Sequence, residues 1–221
     1  TSTLPALAGI SVAAEKDTIS FSATNLEIGI TLKVPGSIKT PGTVVLPTAV
    51  FRDITNSFSG TGTVSLEQEG DIVKISSGGA KTTMKTLPKD DFPSLPSLDT
   101  PKTALTLPGA LLKNLISSVA SCASPSTVRP ELASIFISAE GGSMKGVATD
   151  SFRLAEKKVS VAGSVKPFSM LIPARNALDI AQTLPDEEIQ VAADEHQCSF
   201  SWAAGTATTR LVSAQYPDYE Q

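Results

Sequence analysis

Pro130-Glu-Leu-Ala-Ser-Ile-Phe-Ile-Ser-Ala-Glu140 restates Pro5-Ala-Leu-Ala-Gly-Ile-Ser-Val-Ala-Ala-Glu15 at an offset of 125 residues. Pro5, Leu7, Ala8 and Ile10 fall on Pro130, Leu132, Ala133 and Ile135, and the closing Ala-Glu pairs coincide. Working outward, Ala23-Thr24 falls on Ala148-Thr149 and Lys33-Val34 on Lys158-Val159 at the same offset. At 126, Pro47 meets Pro173, Asp53-Ile54 meets Asp179-Ile180, and Thr82-Thr83 meets Thr208-Thr209; at 124, Phe92-Pro93 meets Tyr216-Pro217. Matches that stay collinear while drifting by a residue or two mark a duplication with small loop changes. Two homologous domains are expected, 1–100 and 103–221, dividing near Thr100-Pro101. The second copy has Leu107 to Ser121 ahead of its motif, whereas four residues precede Pro5. The first copy is therefore expected to lack its opening helix.

Two periodicities alternate within each copy. Ile19, Phe21 and Ala23, then Ile28, Ile30, Leu32 and Val34, alternate with small or polar residues, the period-2 signature of strands with one buried face. Leu66, Val73 and Ile75, and later Val191, Cys198, Phe200 and Trp202, continue it. Three segments have helical spacing instead: Val50, Phe51, Ile54 and Phe58; Leu111, Leu112, Leu115, Ile116 and Val119; Ala177, Leu178, Ala181 and Leu184. Pro47, Pro108 and Pro173 stand at their openings, where a missing N–H costs nothing. The fold class is α+β, with a complete copy running helix, strands, helix, strands.

Composition supports this and excludes several classes. The 50 Ser and Thr residues, many beside Ile, Val or Leu, with 15 Gly and 15 Pro, indicate a β-rich chain with many turns. No apolar run reaches the ~18 residues of a membrane span. Two cysteines cannot staple 221 residues, which suits a reduced, cytoplasmic setting. The net charge of −4 argues against a wholly basic nucleic-acid coat but leaves room for a local basic face.

The polar faces of the helices carry Arg52 and Asn56, Lys113, Asn114 and Ser117, and Arg175 and Gln182, with Asp53 and Asp179. Two readings fit: ordinary solvated surface, or a lining that touches phosphates without reading bases. The segment Val147-Ala-Thr-Asp-Ser-Phe-Arg-Leu-Ala155 ends a strand at Thr149 and turns through Asp150-Ser151, whose side-chain oxygens can bond nearby backbone N–H groups. Its twin, Ala23-Thr24-Asn25-Leu26-Glu27, keeps the turn but has no aromatic and cation to match Phe152 and Arg153. Incidental surface and a binding edge both remain open. Ser76 to Thr82 superficially resembles a phosphate loop, but Ala80 replaces a required glycine and the segment joins two strands, so a hairpin is expected. His196 and Cys198 would share a strand face, with nothing nearby to complete a metal shell. With one histidine in the chain, no catalytic constellation can be assembled, and neither a metal nor a cofactor is expected.

Val147 to Ala155 resembles the Ala-Thr-Asp-Gly-His-Arg-Leu-Ala signature of bacterial sliding clamps, the β subunit of DNA polymerase III. Leu4-Pro5, Ala23 to Glu27, Thr86-Leu87-Pro88 with Phe92-Pro93, and Pro217-Asp218-Tyr219 follow that family's order, so the resemblance covers nearly the whole chain. It implies duplicated clamp domains, each with two helices on one face of antiparallel sheets. In the family, three such domains per subunit and a head-to-tail homodimer close a ring round duplex DNA. Domains one and two are represented here and the third is not. The implied function is a non-catalytic processivity factor that holds the replicative polymerase on DNA irrespective of sequence, serving it and the clamp loader through short peptides.

Carried over by position, the resemblance assigns a partner-peptide cleft to Leu132, Thr149, Ser151, Phe152, Arg153, Leu154 and Pro217. Ser151-Phe152 stands where the family has Gly-His, which makes the cleft more apolar and its turn less free to adopt a positive φ. Arg52, Lys113 and Arg175 are the implied DNA-facing cations. Lys81 to Leu87 matches the strand that pairs across the subunit boundary, with Lys81, Thr82 and Met84 as interface residues. The alternative from residues alone is a β-rich duplicated scaffold with no nucleic-acid role; an enzyme would need a carboxylate base with a raised pKa.

Overall fold

Proline ends a strand and opens a helix at all three strand-to-helix junctions. The computed structural model describes residues 5–58, 62–95, 98 and 103–220; Leu4 and the Thr100-Pro101 division lie outside the described residues. Helices α1 (Thr48–Ser57), α2 (Gly109–Val119) and α3 (Ala174–Thr183) each follow directly on Pro47, Pro108 or Pro173, with φ of −57°, −60° and −48° at the proline. The ring fixes φ and removes a donor the next ladder step would need, so pairing stops and the helix starts. Asp53 is the sixth residue of α1 and Asp179 the sixth of α3.

The chain divides into two compact units, Thr1–Leu95 and Pro96–Gln221. In the first, β1 (Gly9–Glu15) lies between β2 (Thr18–Thr24) and β4 (Gly42–Pro47), and β2 pairs with β3 (Ile28–Pro35), all antiparallel. After α1, β5 (Ser65–Glu69), β6 (Ile72–Ser77) and β7 (Ala80–Lys85) form a three-stranded meander. Gly78 and Gly79, at φ +55° and +89°, make the two-residue turn between β6 and β7, so the phosphate-loop lookalike is a hairpin. Val12, Leu46, Val73, Ile75 and Met84 form the core, and Phe51 and Ile54 of α1 pack against it. Val50, assigned to the apolar stripe, is exposed.

In the second unit, β8 (Thr103–Pro108), β11 (Glu188–Ala193), β12 (Gln197–Trp202) and β13 (Gly205–Arg210) form an antiparallel sheet in the order β8-β11-β12-β13. The long strands β9 (Ser134–Thr149) and β10 (Leu154–Pro173) pair along their length, with register shifts after Ser160 and Val165. The duplication is visible in the registers. Gly9 pairs with Pro47 and Ser134 with Pro173; Thr24 pairs with Gly29 and Thr149 with Leu154. Helix α2 packs on β9, β10 and α3. A Cβ on Gly146 would come within 2.5 Å of a Leu115 methyl, so glycine in β9 is what admits this helix. Leu112, Leu115, Ile116, Ile135, Ile137, Met144, Ile172, Ile180 and Phe200 are fully buried there. At about 1.5–3 kcal/mol per side chain, this burial is the main term holding the unit together.

Some expectations are corrected here. Leu178 points outward, and Asn176 and Ile180 take buried places on α3, with Asn176 Nδ2 donating to Thr209 Oγ1 at 3.1 Å. His196 is not on a strand face with Cys198. It lies exposed in the β11–β12 turn, whereas Cys198 is fully buried. Met84 turns its side chain into the core, so at the β7 edge it offers only its main chain.

Candidate functional site

The turn between β9 and β10 is made by two side chains acting on five residues. Thr149 Oγ1 donates to the Arg153 carbonyl at 2.7 Å and accepts from the Ser151 N–H at 3.1 Å. Asp150 Oδ1 accepts from the N–H groups of Phe152 and Arg153, both at 3.0 Å. These two N–H groups, and then the Arg153 side chain, hold the Asp150 carboxyl below its ordinary range. Ser151 sits at φ +77°, so the left-handed conformation is imposed without glycine. This closed network lifts Phe152 clear of the protein, 97% exposed, and leaves Leu154 45% exposed at the start of β10. Arg153 is tethered, its Nε donating to Asp150 Oδ2 at 3.1 Å.

A second segment meets the first. Beyond β13 the chain runs beside β10, with the Val212 N–H donating to the Leu171 carbonyl at 2.9 Å. Tyr216 stacks on Phe136 of β9 with ring centroids 5.0 Å apart, and Tyr219 meets Tyr216 edge-on at 6.3 Å. The Tyr216 hydroxyl is buried without a well-aligned hydrogen bond. Burial pushes its pKa up to about 12, the main chain of Thr149 beside it acting the other way. Pro217 follows directly. A groove of about 660 Å³ runs along this seam, lined among others by Phe136, Lys145, Tyr216, Pro217 and Tyr219.

Of the expected cleft residues, Thr149, Ser151, Phe152, Arg153 and Leu154 thus share one turn, and Pro217 follows Tyr216, whose hydroxyl lies near the Thr149 main chain. Leu132 differs: its side chain is buried in the unit's interior. Lys145, Tyr216 and Tyr219 also line the seam. Tyr216 is in the repeat and Tyr219 beside Pro217 in the resemblance, but neither match points to a site role, and Lys145 has no signal in the sequence. Lys145 and Glu220, which touch, are 75 residues apart.

The expected DNA-facing cations lie on three helices. Arg52 on α1 is exposed and bonds Asp53 Oδ1 through Nε and Nη2 at 3.1 and 3.0 Å. Lys113 on α2 pairs with Asp186, and Arg175 on α3 is exposed. Lys81 and Thr82 lie on β7, an edge of the three-stranded sheet. Among the described residues no group of three or more His, Cys, Asp or Glu side chains could hold a metal ion, and no helix is long and apolar enough to cross a membrane. Burial, then Asp194, pushes the Cys198 thiol far above its ordinary range, so it has no nucleophilic form near neutrality.

Known proteins share this architecture along the whole chain. Residues 1–96 match the DNA polymerase III beta subunit, N-terminal domain, and residues 106–218 its central domain. The "Beta sliding clamp" of Salmonella typhimurium is 28% identical over 227 residues, covering 99% of this chain and 60% of the relative. A DNA polymerase III subunit beta from Pseudomonas aeruginosa superposes with a TM-score of 0.92 at 25% identity, over 99% of this chain and 60% of that one. The DNA polymerase sliding clamp of Bacillus subtilis superposes at 0.90 and 29%, over 98% and 60%. The chain spans about 60% of the length of these relatives. Matches to both domain families in tandem, on a fold whose registers repeat, place this chain in the DNA polymerase III beta subunit family.

Proposed function

We propose that the chain forms part of a sliding clamp, a non-catalytic ring that encircles duplex DNA in the cytoplasm and keeps the replicative polymerase attached to it. Membership of the beta-subunit family over nearly the whole chain is the observation that carries this reading. In the proposal Arg52, Lys113 and Arg175 face the DNA and touch phosphates, giving attraction that weakens with salt and ignores sequence. The β7 edge, with Lys81, Thr82 and the main chain at Met84, joins a second subunit head to tail. The clamp loader and the polymerase bind by short peptides at the β9–β10 turn.

Phe152 and Leu154 are what such a peptide would cover, and Pro217 would bound it on the far side of the seam. An incoming Leu and Phe would each gain roughly 1.5–3 kcal/mol when fully buried. Tethered to Asp150, Arg153 would orient the peptide more than hold it. The test is a nuclear magnetic resonance titration of this chain with a Leu-Phe-ending peptide. Shifts are expected at Ser151 to Leu154 and at Tyr216 to Tyr219, and Leu154→Lys should abolish them without unfolding the chain, because Leu154 is at the surface. A Leu154→Lys chain that titrates as the parent does would remove the cleft from consideration.

A further inference from the structure

Lys145 is the only described cation that gathers both carboxylates and an aromatic ring at the seam beside the turn. Its Nζ lies 2.6 Å from Glu220 Oε1, 3.6 Å from Glu156 Oε2 and 5.1 Å from the centroid of the Tyr219 ring. The Tyr219 hydroxyl donates to Glu156 Oε2 at 3.0 Å, so the ring is held at its face and at its tip. Lys145 and Glu156 come from different strands but one face of the β9–β10 pair, since Val147 is opposite Glu156 and Lys158 opposite Lys145. Of the three ionic groups in this cluster, Lys145 is the most enclosed: its side chain is 24% exposed, against 40% for Glu156 and 68% for Glu220. Contact continues from the cation to Tyr219, Tyr216 and Phe136, and the buried Tyr216 hydroxyl lies near the Thr149 main chain without a hydrogen bond to it.

We infer that Lys145 is a positioning residue of the peptide cleft: by drawing Tyr219 and Glu220 onto the β9–β10 pair, it holds Tyr216 and Pro217 in place beside the Thr149 turn. This rests on the proposed cleft, since Lys145 itself touches none of the turn residues Ser151 to Leu154. A cation over an aromatic face and a carboxylate within hydrogen-bond reach act together where either alone on a surface is weak. Glu220, then Tyr219, keeps the ammonium well above its ordinary range, so the contact stays charged through the neutral range. When a segment is seated only part of the time, apparent affinity falls by the seated fraction; a Lys145→Met chain seated about one-fifth of the time binds about five-fold more weakly.

Two readouts on the same proteins test it: amide hydrogen exchange across residues 212–220, and affinity for the Leu-Phe peptide. Lys145→Met should speed exchange there and weaken the peptide, with the turn amides of Phe152 and Arg153 still protected. Lys145→Arg, which keeps charge and ring contact, should restore both. Leu154→Lys should lose the peptide with exchange at 212–220 unchanged. If Lys145→Met leaves that exchange as it was, the positioning role is overturned whatever the peptide does. It is also overturned if affinity is unchanged in Lys145→Met but abolished in Leu154→Lys. Unchanged affinity in both variants removes the cleft, and the role of Lys145 in it falls too.

Discussion

Residues 24–28 and 149–153 are the same turn with different cargo. In the first unit Thr24 Oγ1 donates to the Ile28 carbonyl at 2.7 Å and accepts from Leu26 at 3.0 Å, while Asn25 Oδ1 accepts from Glu27 and Ile28 at 3.0 and 2.7 Å. In the second, Thr149 and Asp150 make the same four bonds to residues 151–153. Leu26 and Ser151 share the left-handed conformation, at φ +75° and +77°. The middle and last positions diverge. Ile28 is buried where Arg153 is exposed, and Glu27 is replaced by a fully projecting Phe152. Thr and Asn or Asp therefore supply the scaffold in both copies, and the last residue of the turn is free to be core in one, as Ile28, and exposed in the other, as Arg153.

The largest expected effect removes the scaffold from both copies. Thr24→Val and Thr149→Val each delete one donated and one accepted hydrogen bond, leaving the Leu26 or Ser151 N–H to find water. The Ile28 or Arg153 carbonyl is left with only its backbone donor, the Asn25 N–H at 3.2 Å or the Asp150 N–H at 3.4 Å. A loss of about 1–3 kcal/mol of local stability is expected in each unit, larger for Thr149 because it is buried. Hydrogen exchange read by peptide mass resolves the two units, which a single melting curve would not. A response in one unit alone would mean that the two turns share geometry but not energetics.

Protonation should separate the copies, because Asp150 titrates and Asn25 does not. The Asp150 carboxyl is held below its ordinary 3.8 by the Phe152 N–H, then the Arg153 N–H and side chain. A depressed folded value means that the turn's extra stability is complete above that ordinary range and is lost as pH falls through the folded value. The amides of Phe152 and Arg153 should shift with a midpoint below 3.8, while those of Glu27 and Ile28 show no titration from Asn25. Asp150→Asn should flatten the response of the second turn. A midpoint at or above 3.8 would break the assignment of those two bonds.

How far the sequence discloses this molecule depends on whether a feature is local. The duplication, the three proline-opened helices and the Asx turns could be read because each is written in neighbouring residues or in a fixed offset. The faces of α1 and α3 are only partly legible: Val50 and Leu178 fit the apolar spacing, yet both are exposed. Met84 was assigned to an interface by position along an edge strand, where period-2 alternation with Val73 and Ile75 turns it inward. The positive φ at Leu26 and Ser151 has no signal in residue type, since the surrounding bonds impose it. Least legible was the group around Lys145, whose partners come from two strands and the segment after β13.

The smallest effect expected is a gain. A side chain in the left-handed region crowds the following carbonyl at a cost on the order of 1 kcal/mol, which glycine avoids. Glycine also frees the unfolded chain, at a cost of about 0.4–1 kcal/mol, so the two terms nearly cancel. The balance should differ between the twins. Leu26 is bulky and 46% exposed, so Leu26→Gly relieves more crowding than it loses in burial. Ser151 is small, and Ser151→Gly should be close to neutral. A rise of about 1–2 °C in melting temperature for Leu26→Gly corresponds to roughly half a kcal/mol in a protein of this size. Calorimetry on both variants, with hydrogen exchange read by peptide mass to assign each change to its unit, decides the ranking. If Ser151→Gly gained more than Leu26→Gly, the second turn would be the more strained of the two, and the four bonds that hold Ser151 in place would be working against it harder than their geometry indicates.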